Sequence, residues 1–317
     1  MRVALAGEAL IDFAGIGEMR FQGYCGGSPL NTAVAAARLG QATGYITQLS
    51  TDLFGVRLRR HLEENGVDTR FVLSHCAPTT LAFVEHDGEQ SRYQFLARGS
   101  ADSLYAPDPL PELPAETAFL HFGSVSLLLE PAASSITRLV ERHRSRVVIV
   151  FDPNVRPTLI ENADAYRRRC AEWIRACHLL KLSEEDAAYL AGHGDLDSAV
   201  AAWLESGPRA ALVTHGARGL RLYRRAAAPL RVPAFRVPVA DTIGAGDTLT
   251  AATIVALIER GAARAEDLNA LSEPDWREVL TFAAAAAALN CMRPGADPPT
   301  RREVGEFLSA SCNSAGR

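Results

Sequence analysis

The chain has 317 residues, 48% of them hydrophobic, and a formal net charge of −4, enough to bury a substantial core as one large or two smaller domains. No concentrated basic surface or basic tail is present, so nucleic acid is not expected as a partner, and the arginine-containing run 138–146 reads as the solvated face of a helix. The 6 cysteines contain no CxxC pair and the 8 histidines no HExxH pattern, so neither structural zinc nor zincin chemistry is indicated, and no stretch is both long and apolar enough to span a membrane.

Thiols without pairing signals fit a reducing compartment, and residues 1–7 form a short apolar strand-like run, not a signal sequence, so a cytoplasmic location is expected. Arginine occurs throughout, yet Lys181 is the single lysine. A P-loop requires Gly-Lys-Ser/Thr, and here Leu180 precedes Lys181, so that cradle is excluded; no Gly-x-Gly-x-x-Gly occurs either.

In chain order, residues 2–6 read as a buried strand. Residues 28–39 read as a helix with Ser28 as its cap, Pro29 at its first position and Gly40 as its stop. A strand at 43–49 and a helix at 54–64 follow, and apolar runs at 118–122, 147–151, 179–182 and 210–213 alternate with helical stretches. That rhythm predicts an α/β fold, a mainly parallel sheet with helices on both faces. Two regions interrupt it, about 13–25 and 79–100; within the second, 80–84, the turn at Asp87-Gly88 and 92–95 read as a β-hairpin and a candidate lid. The alanine-rich run 282–289 is helical by propensity.

The segment 241–247, Asp-Thr-Ile-Gly-Ala-Gly-Asp, leads into a helix-prone run at 248–258. Its glycines let backbone N–H groups converge, and the helix N-terminus adds about +0.5 charge, which suits a phosphate or an anionic transition state. An acid at that point faces a neutral hydroxyl better than an anion, which makes Asp247 a candidate general base for phosphoryl transfer. The alternative is that Asp247 only caps the helix.

With these pieces placed, the chain resembles the ribokinase-like, or PfkB, family of carbohydrate kinases over nearly its whole length. The resemblance rests on Gly7-Glu8-Ala9-Leu10-Ile11-Asp12, on Gly26-Gly27-Ser28-Pro29-Leu30-Asn31, and on 241–247, in that order. Ser100-Ala101-Asp102, Phe122-Gly123-Ser124, Asp152-Pro153-Asn154-Val155-Arg156-Pro157 and Lys181-Leu182-Ser183-Glu184 are similar to bacterial fructokinases. The resemblance implies a three-layer α/β/α domain over 1–317 with a small β-hairpin lid, and ATP-dependent phosphorylation of the 6-hydroxyl of D-fructose. It further implies Mg²⁺, activation by K⁺, and a lid able to serve as a homodimer interface.

The same resemblance distributes roles. Asp247 would be the base, with the amides of Gly244, Ala245 and Gly246 as the anion cradle. Asp12, which follows a buried strand, would bind sugar with Gly26, Gly27, Asn31, Phe95, Asp152, Asn154 and Arg156; glycines admit close backbone approach, and an Asn amide both donates and accepts. Arg156 serves phosphate binding or loop bracing equally well. Lys181, where the family-wide motif has Asn, joins Glu184, Thr214, Gly216, Gly219 and Asn290 on the nucleotide side. Glu184 would meet Mg²⁺ through water, and Asp241 with Gly295 a monovalent cation. Cys291 reads as packing.

Other readings remain. A 2-keto-3-deoxygluconate kinase needs an arginine for the substrate carboxylate; the chain has Phe95-Leu96-Ala97 where related sequences have Phe-Tyr-Arg, leaving Arg98 or Arg92 as substitutes. A non-catalytic sugar or nucleotide sensor would have no need of Asp247. A nicotinamide dehydrogenase would show a glycine fingerprint that Gly7-Glu8-Ala9 does not supply.

Overall fold

The computed structural model describes residues 1–87, 90–192 and 194–315, with backbone alone at 85–87, 90–93 and 312–315. Its strands are β1 (Val3–Ala6), β2 (Leu10–Gly15), β3 (Phe21–Gly26), β4 (Thr43–Ser50), β5 (Asp68–His75), β6 (Thr80–Asp87), β7 (Gln90–Leu96), β8 (Phe119–Gly123), β9 (Val148–Asp152), β10 (Leu179–Ser183), β11 (Ala210–Thr214), β12 (Leu220–Arg224) and β13 (Leu230–Val232). Its helices are α1 (Ser28–Arg38), α2 (Leu53–Glu64), α3 (Ala132–His143), α4 (Ala163–Ala176), α5 (Glu184–Ala191), α6 (Leu196–Ser206), α7 (Ala245–Glu259), α8 (Asp267–Ala270), α9 (Glu273–Cys291) and α10 (Arg301–Ala315).

Among the described residues one sheet has nine strands in the order β13-β12-β11-β10-β9-β8-β1-β4-β5. From β11 to β5 every neighbouring pair is parallel, and β12 and β13 close one side antiparallel. The central strands β1, β8 and β9 are buried at every residue, the mark of a sheet covered on both faces. One face packs against α1, α2, α7 and α9 through residues such as Leu30, Leu58, Ile254 and Trp276. The other packs against α3 to α6 through Ile136, Trp173, Ala187 and Val200. The expected three-layer α/β/α order is therefore the observed one.

The interruptions in the rhythm form the lid, with a correction to their shape. The expected hairpin is β6–β7, while 13–25 contributes a second hairpin, β2–β3, and the two join by parallel pairing of β2 with β6 into one four-stranded sheet. Gly88, in the expected turn, lies outside the described residues. Phe13 stacks on Phe83 at 5.1 Å and meets Phe54 of α2 edge-on at 5.7 Å, which seats the lid on the main body.

Two local expectations are overturned. Asp12 does not follow the first buried strand: it lies inside β2, paired with Tyr24 and Ala82, so it belongs to the lid. Ser28 is not the cap of α1; Gly27 is, at φ 109. A Cβ on Gly27 would stand 2.7 Å from the Glu8 carbonyl oxygen, so glycine is required there twice, by conformation and by space. β5 and β12 are absent from the sequence reading: the apolar run of β5, Phe71-Val72-Leu73, is only three residues long on a half-exposed edge strand, and β12 intersperses arginines, Leu-Arg-Leu-Tyr-Arg.

Candidate active site

The carboxyl ends of β1, β8, β9 and β10, the first turns of α1 and α7, and the inner face of the lid enclose a cavity of 340 Å³. Parallel strands deliver this arrangement, because all their ends open on one edge of the sheet. Asp12, Gly27, Asn31, Phe95, Asn154, Arg156, Lys181, Asp241, Gly244, Gly246, Asp247 and Gly295 of the expected site all line it.

Asp247 sits in the first turn of α7, whose cap is Gly244 in the left-handed region at φ 74. It does not cap the helix. Instead Ser28 donates its hydroxyl to Oδ1 at 2.6 Å and Asn31 its amide to Oδ2 at 2.9 Å. Burial pushes the Asp247 carboxyl up to about 6, against the pull of Ser28, Asn31 and the Lys181 ammonium. A carboxylate so placed is ionised near neutrality and still basic enough to take a proton.

Lys181 and Asp152 form a buried ion pair, Nζ to Oδ2, at 2.7 Å. Burial works against the Lys181 ammonium, but the Asp152, Asp186 and Asp247 carboxylates outweigh it and raise its pKa. A Cβ on Gly246 would stand 2.9 Å from Nζ. The single lysine thus adds a full positive charge beside the glycine turn.

On the lid side, burial first, then the neighbouring Asp247 and Glu8 charges, push Asp12 up to about 6, and Arg156 opposes them. A Cβ on Gly26 would overlap the Asp12 carboxylate, so that glycine clears room for it. Arg156 folds back, donating to the Asn154 carbonyl at 3.1 Å and to Asn154 Oδ1 at 2.7 Å. Asn154 has φ 39, a conformation Asn tolerates better than most residues. Arg98 does not line this cavity; it pairs with Glu161 on the surface and borders an adjoining cavity. The Arg92 side chain lies outside the described residues.

The residues expected on the nucleotide side divide. Thr214 ends β11, with Gly216 at φ 55 and Gly219 at φ 91 in the turn to β12, where a Cβ on Gly219 would run into the Val232 carbonyl. Glu184 is paired with Arg218 and has His215 Nδ1 at 3.4 Å; the Arg218 hydrogen bond holds its carboxyl below the usual range. Asn290 is fully buried, donates to the Ile243 carbonyl at 2.8 Å and accepts from Thr248 at 3.2 Å. It braces the glycine turn from beneath and offers no open face to a nucleotide. Asp241 accepts from the Gly295 amide at 2.9 Å and the Ile243 amide at 3.0 Å, so 241 and 295 meet at one place.

Two residues outside the expected site belong here: Ser28, which reads in sequence as a helix cap, and Glu8, which reads only as part of the 7–12 motif. Glu8 is buried, accepts the amides of Ser28 and Ser126, and burial raises its carboxyl pKa. The signal available in sequence was an acid directly after an apolar strand, which is costly to bury without partners.

Comparison with known proteins agrees with this geometry. Residues 2–302 match the model of the pfkB family of carbohydrate kinases. The chain is 35% identical over 263 residues to a fructokinase of Rhizobium leguminosarum bv. trifolii, covering 80% of this chain and 79% of that one. It is 32% identical over 322 residues to probable fructokinase-4 of Arabidopsis thaliana, covering 96% of each. Its structure superposes on fructokinase with bound ATP from Xylella fastidiosa with a TM-score of 0.90 at 29% identity, covering 98% of this chain and 99% of that one. The protein is an ATP-dependent sugar kinase, and the chain belongs to the pfkB family of carbohydrate kinases.

Proposed function

We propose that this kinase phosphorylates the primary 6-hydroxyl of D-fructose. The observation that carries the reading is the Asp247 carboxylate, held by Ser28 and Asn31 at a glycine-rich helix start on the wall of a cavity whose lid contributes Asp12. Asp12 and Asn31 supply the acceptors and donors a polyol needs. Asp247 takes the proton of the 6-hydroxyl, the freed oxygen attacks the terminal phosphorus of ATP, and ADP leaves. The amides of the 244–247 turn and the Lys181 ammonium stabilise charge on the moving phosphoryl group. Closure of the lid over the sugar excludes water and spares ATP from hydrolysis.

No group of three metal-ligating side chains occurs among the described residues, which fits a Mg²⁺ ion carried mainly by the nucleotide phosphates and its own waters, with Glu184 as an outer carboxylate. Bound there it would neutralise phosphate charge. We assign Asp241 and Gly295 to a K⁺ site from the family resemblance; the Gly295 amide donates to Asp241, which puts the two residues at one place. The keto-acid alternative is disfavoured because Arg98 pairs with Glu161 and does not line the cavity.

The test is an ADP-release assay with Mg-ATP against D-fructose, D-ribose, 2-keto-3-deoxygluconate, fructose 6-phosphate and adenosine. Selective turnover of fructose supports the proposal. Selective turnover of the keto-acid overturns the substrate while keeping the base, and no turnover of any sugar overturns both.

A further inference from the structure

Glu8 is 1% exposed, a carboxyl group that takes part in none of the steps above. Its two oxygens face two backbone donors: Oε1 accepts from the Ser28 amide at 3.3 Å and Oε2 from the Ser126 amide at 3.0 Å. Its own carbonyl accepts the Tyr45 hydroxyl, which anchors the backbone from β4. Ser28 is the first residue of α1 and holds Oδ1 of Asp247. Ser126 lies in the short helical turn Ser124–Leu127, where Ser124 and Val125 line the cavity and Ser124 is held at φ 62. One side chain therefore ties the start of α1, which grips the base, to a wall of the sugar cavity.

We infer that Glu8 and Ser28 are positioning residues, Glu8 fixing Ser28 against the 124–127 turn and Ser28 fixing the Asp247 carboxylate in register with the bound sugar. This inference rests on the reading of Asp247 as the base. A carboxylate suits position 8 because each of its oxygens faces a backbone N–H donor, with the Ser124 and Ser126 side chains adding hydrogen bonds; a Gln would present one acceptor and aim its NH₂ group at the other amide. Only a hydroxyl can serve at position 28, because a donor must reach an anionic oxygen in a buried site. The charged and titratable groups around Asp247 are Asp12 from β2, Tyr45 from β4, Asp152 from β9 and Lys181 from β10. Glu8, after β1, is the further titratable group, and it meets Ser28 through the backbone amide; Ser28→Ala keeps that amide and removes only the hydroxyl on Asp247.

The variants are Ser28→Ala, Ser28→Thr and Glu8→Gln, in the full chain. Two readouts are used: the titration of the Asp247 carboxyl by carbon-13 NMR without substrate, its signal assigned by loss in Asp247→Asn, and the pH profile of kcat/KM on whichever sugar the wild type phosphorylates. Losing the hydroxyl in Ser28→Ala should move the Asp247 titration and the acidic limb to higher pH by roughly half a unit to one unit. It should also lower kcat by about tenfold, a fraction of what a general base supplies. Ser28→Thr should restore both, and Glu8→Gln should move both in the direction of Ser28→Ala. If folded Ser28→Ala and Glu8→Gln keep the wild-type titration, acidic limb and kcat and only melt earlier, the two residues are merely structural and the inference fails. Should Glu8→Gln not fold, Ser28→Ala decides. Absence of turnover in the wild type would sink the reading of Asp247 as base, and the NMR titration would still decide whether Ser28 and Glu8 position it.

Discussion

Lys181 and Asp152 meet across neighbouring parallel strands at 2.7 Å, both buried, with the ammonium 2.9 Å from where a Cβ on Gly246 would stand. The Asp152 carboxylate, with Asp186 and Asp247, outweighs burial and favours the Lys181 ammonium. Removing one partner of a buried pair leaves an uncompensated charge that costs about 3–5 kcal/mol. Lys181→Met should therefore destabilise the protein by that order in urea titrations and abolish most turnover. Adding Asp152→Asn should recover much of the stability and none of the activity. Equal stability losses in the single and double variants would contradict the coupling.

Asp247→Asn should lower kcat by about 10² to 10⁴, the span of general-base contributions, while nucleotide and sugar binding stay measurable by calorimetry. A variant that binds neither ligand and does not fold would make Asp247 a structural residue.

The pH dependence follows from Asp247 standing at about 6, above its ordinary 3.8. The base acts when ionised, so kcat/KM should fall as pH drops through about 6. Asp12 also stands at about 6, so the limb must persist in Asp12→Asn to belong to Asp247. For stability the sign is opposite to that of a paired surface acid. The folded state binds this proton more tightly than the unfolded one, so stability declines as pH rises from about 4 to 6. Asp247→Asn, neutral at every pH, should melt a few degrees higher than wild type at neutral pH; the difference between about 6 and 3.8 sets an upper limit of about 3 kcal/mol. Calorimetric melts across that range check the slope.

Gly26→Ala would drive a methyl group into the Asp12 carboxylate. The expected result is a rise in the sugar KM of at least about tenfold, the loss of one charge-assisted hydrogen bond, with the ATP KM unchanged. An unchanged sugar KM would remove Asp12 from the sugar site.

Arg98→Ala should change no kinetic constant by more than about twofold, since exposed ion pairs contribute at most about 1 kcal/mol and Arg98 turns to Glu161. A large loss confined to an acid substrate would instead place the arginine at a substrate carboxylate.

Several features of this kinase are determined by sequence alone, and they are the local ones. The alternation of apolar runs with helical stretches specifies a doubly covered parallel sheet because burial on both faces leaves continuous hydrophobic strands. The 241–247 segment marks a glycine-rich helix start where amides can converge, and leaves open whether its acid caps the helix or serves as a base. A single lysine among many arginines stands out before any contact is known.

Tertiary structure decided what each polar group touches. Ser28 has the sequence signature of a helix cap, yet its hydroxyl meets a carboxylate 219 residues away. Asp12 belongs to the lid only because β2 pairs with β6, whose strands lie far apart in the chain. Asn290 donates to the Ile243 carbonyl beneath the glycine turn, and Glu8 joins the start of α1 to the 124–127 turn, which no spacing rule connects. Periodicity reports which face of an element is buried; it carries no record of the partner that will satisfy a buried donor or acceptor, because that partner is chosen when distant elements pack together.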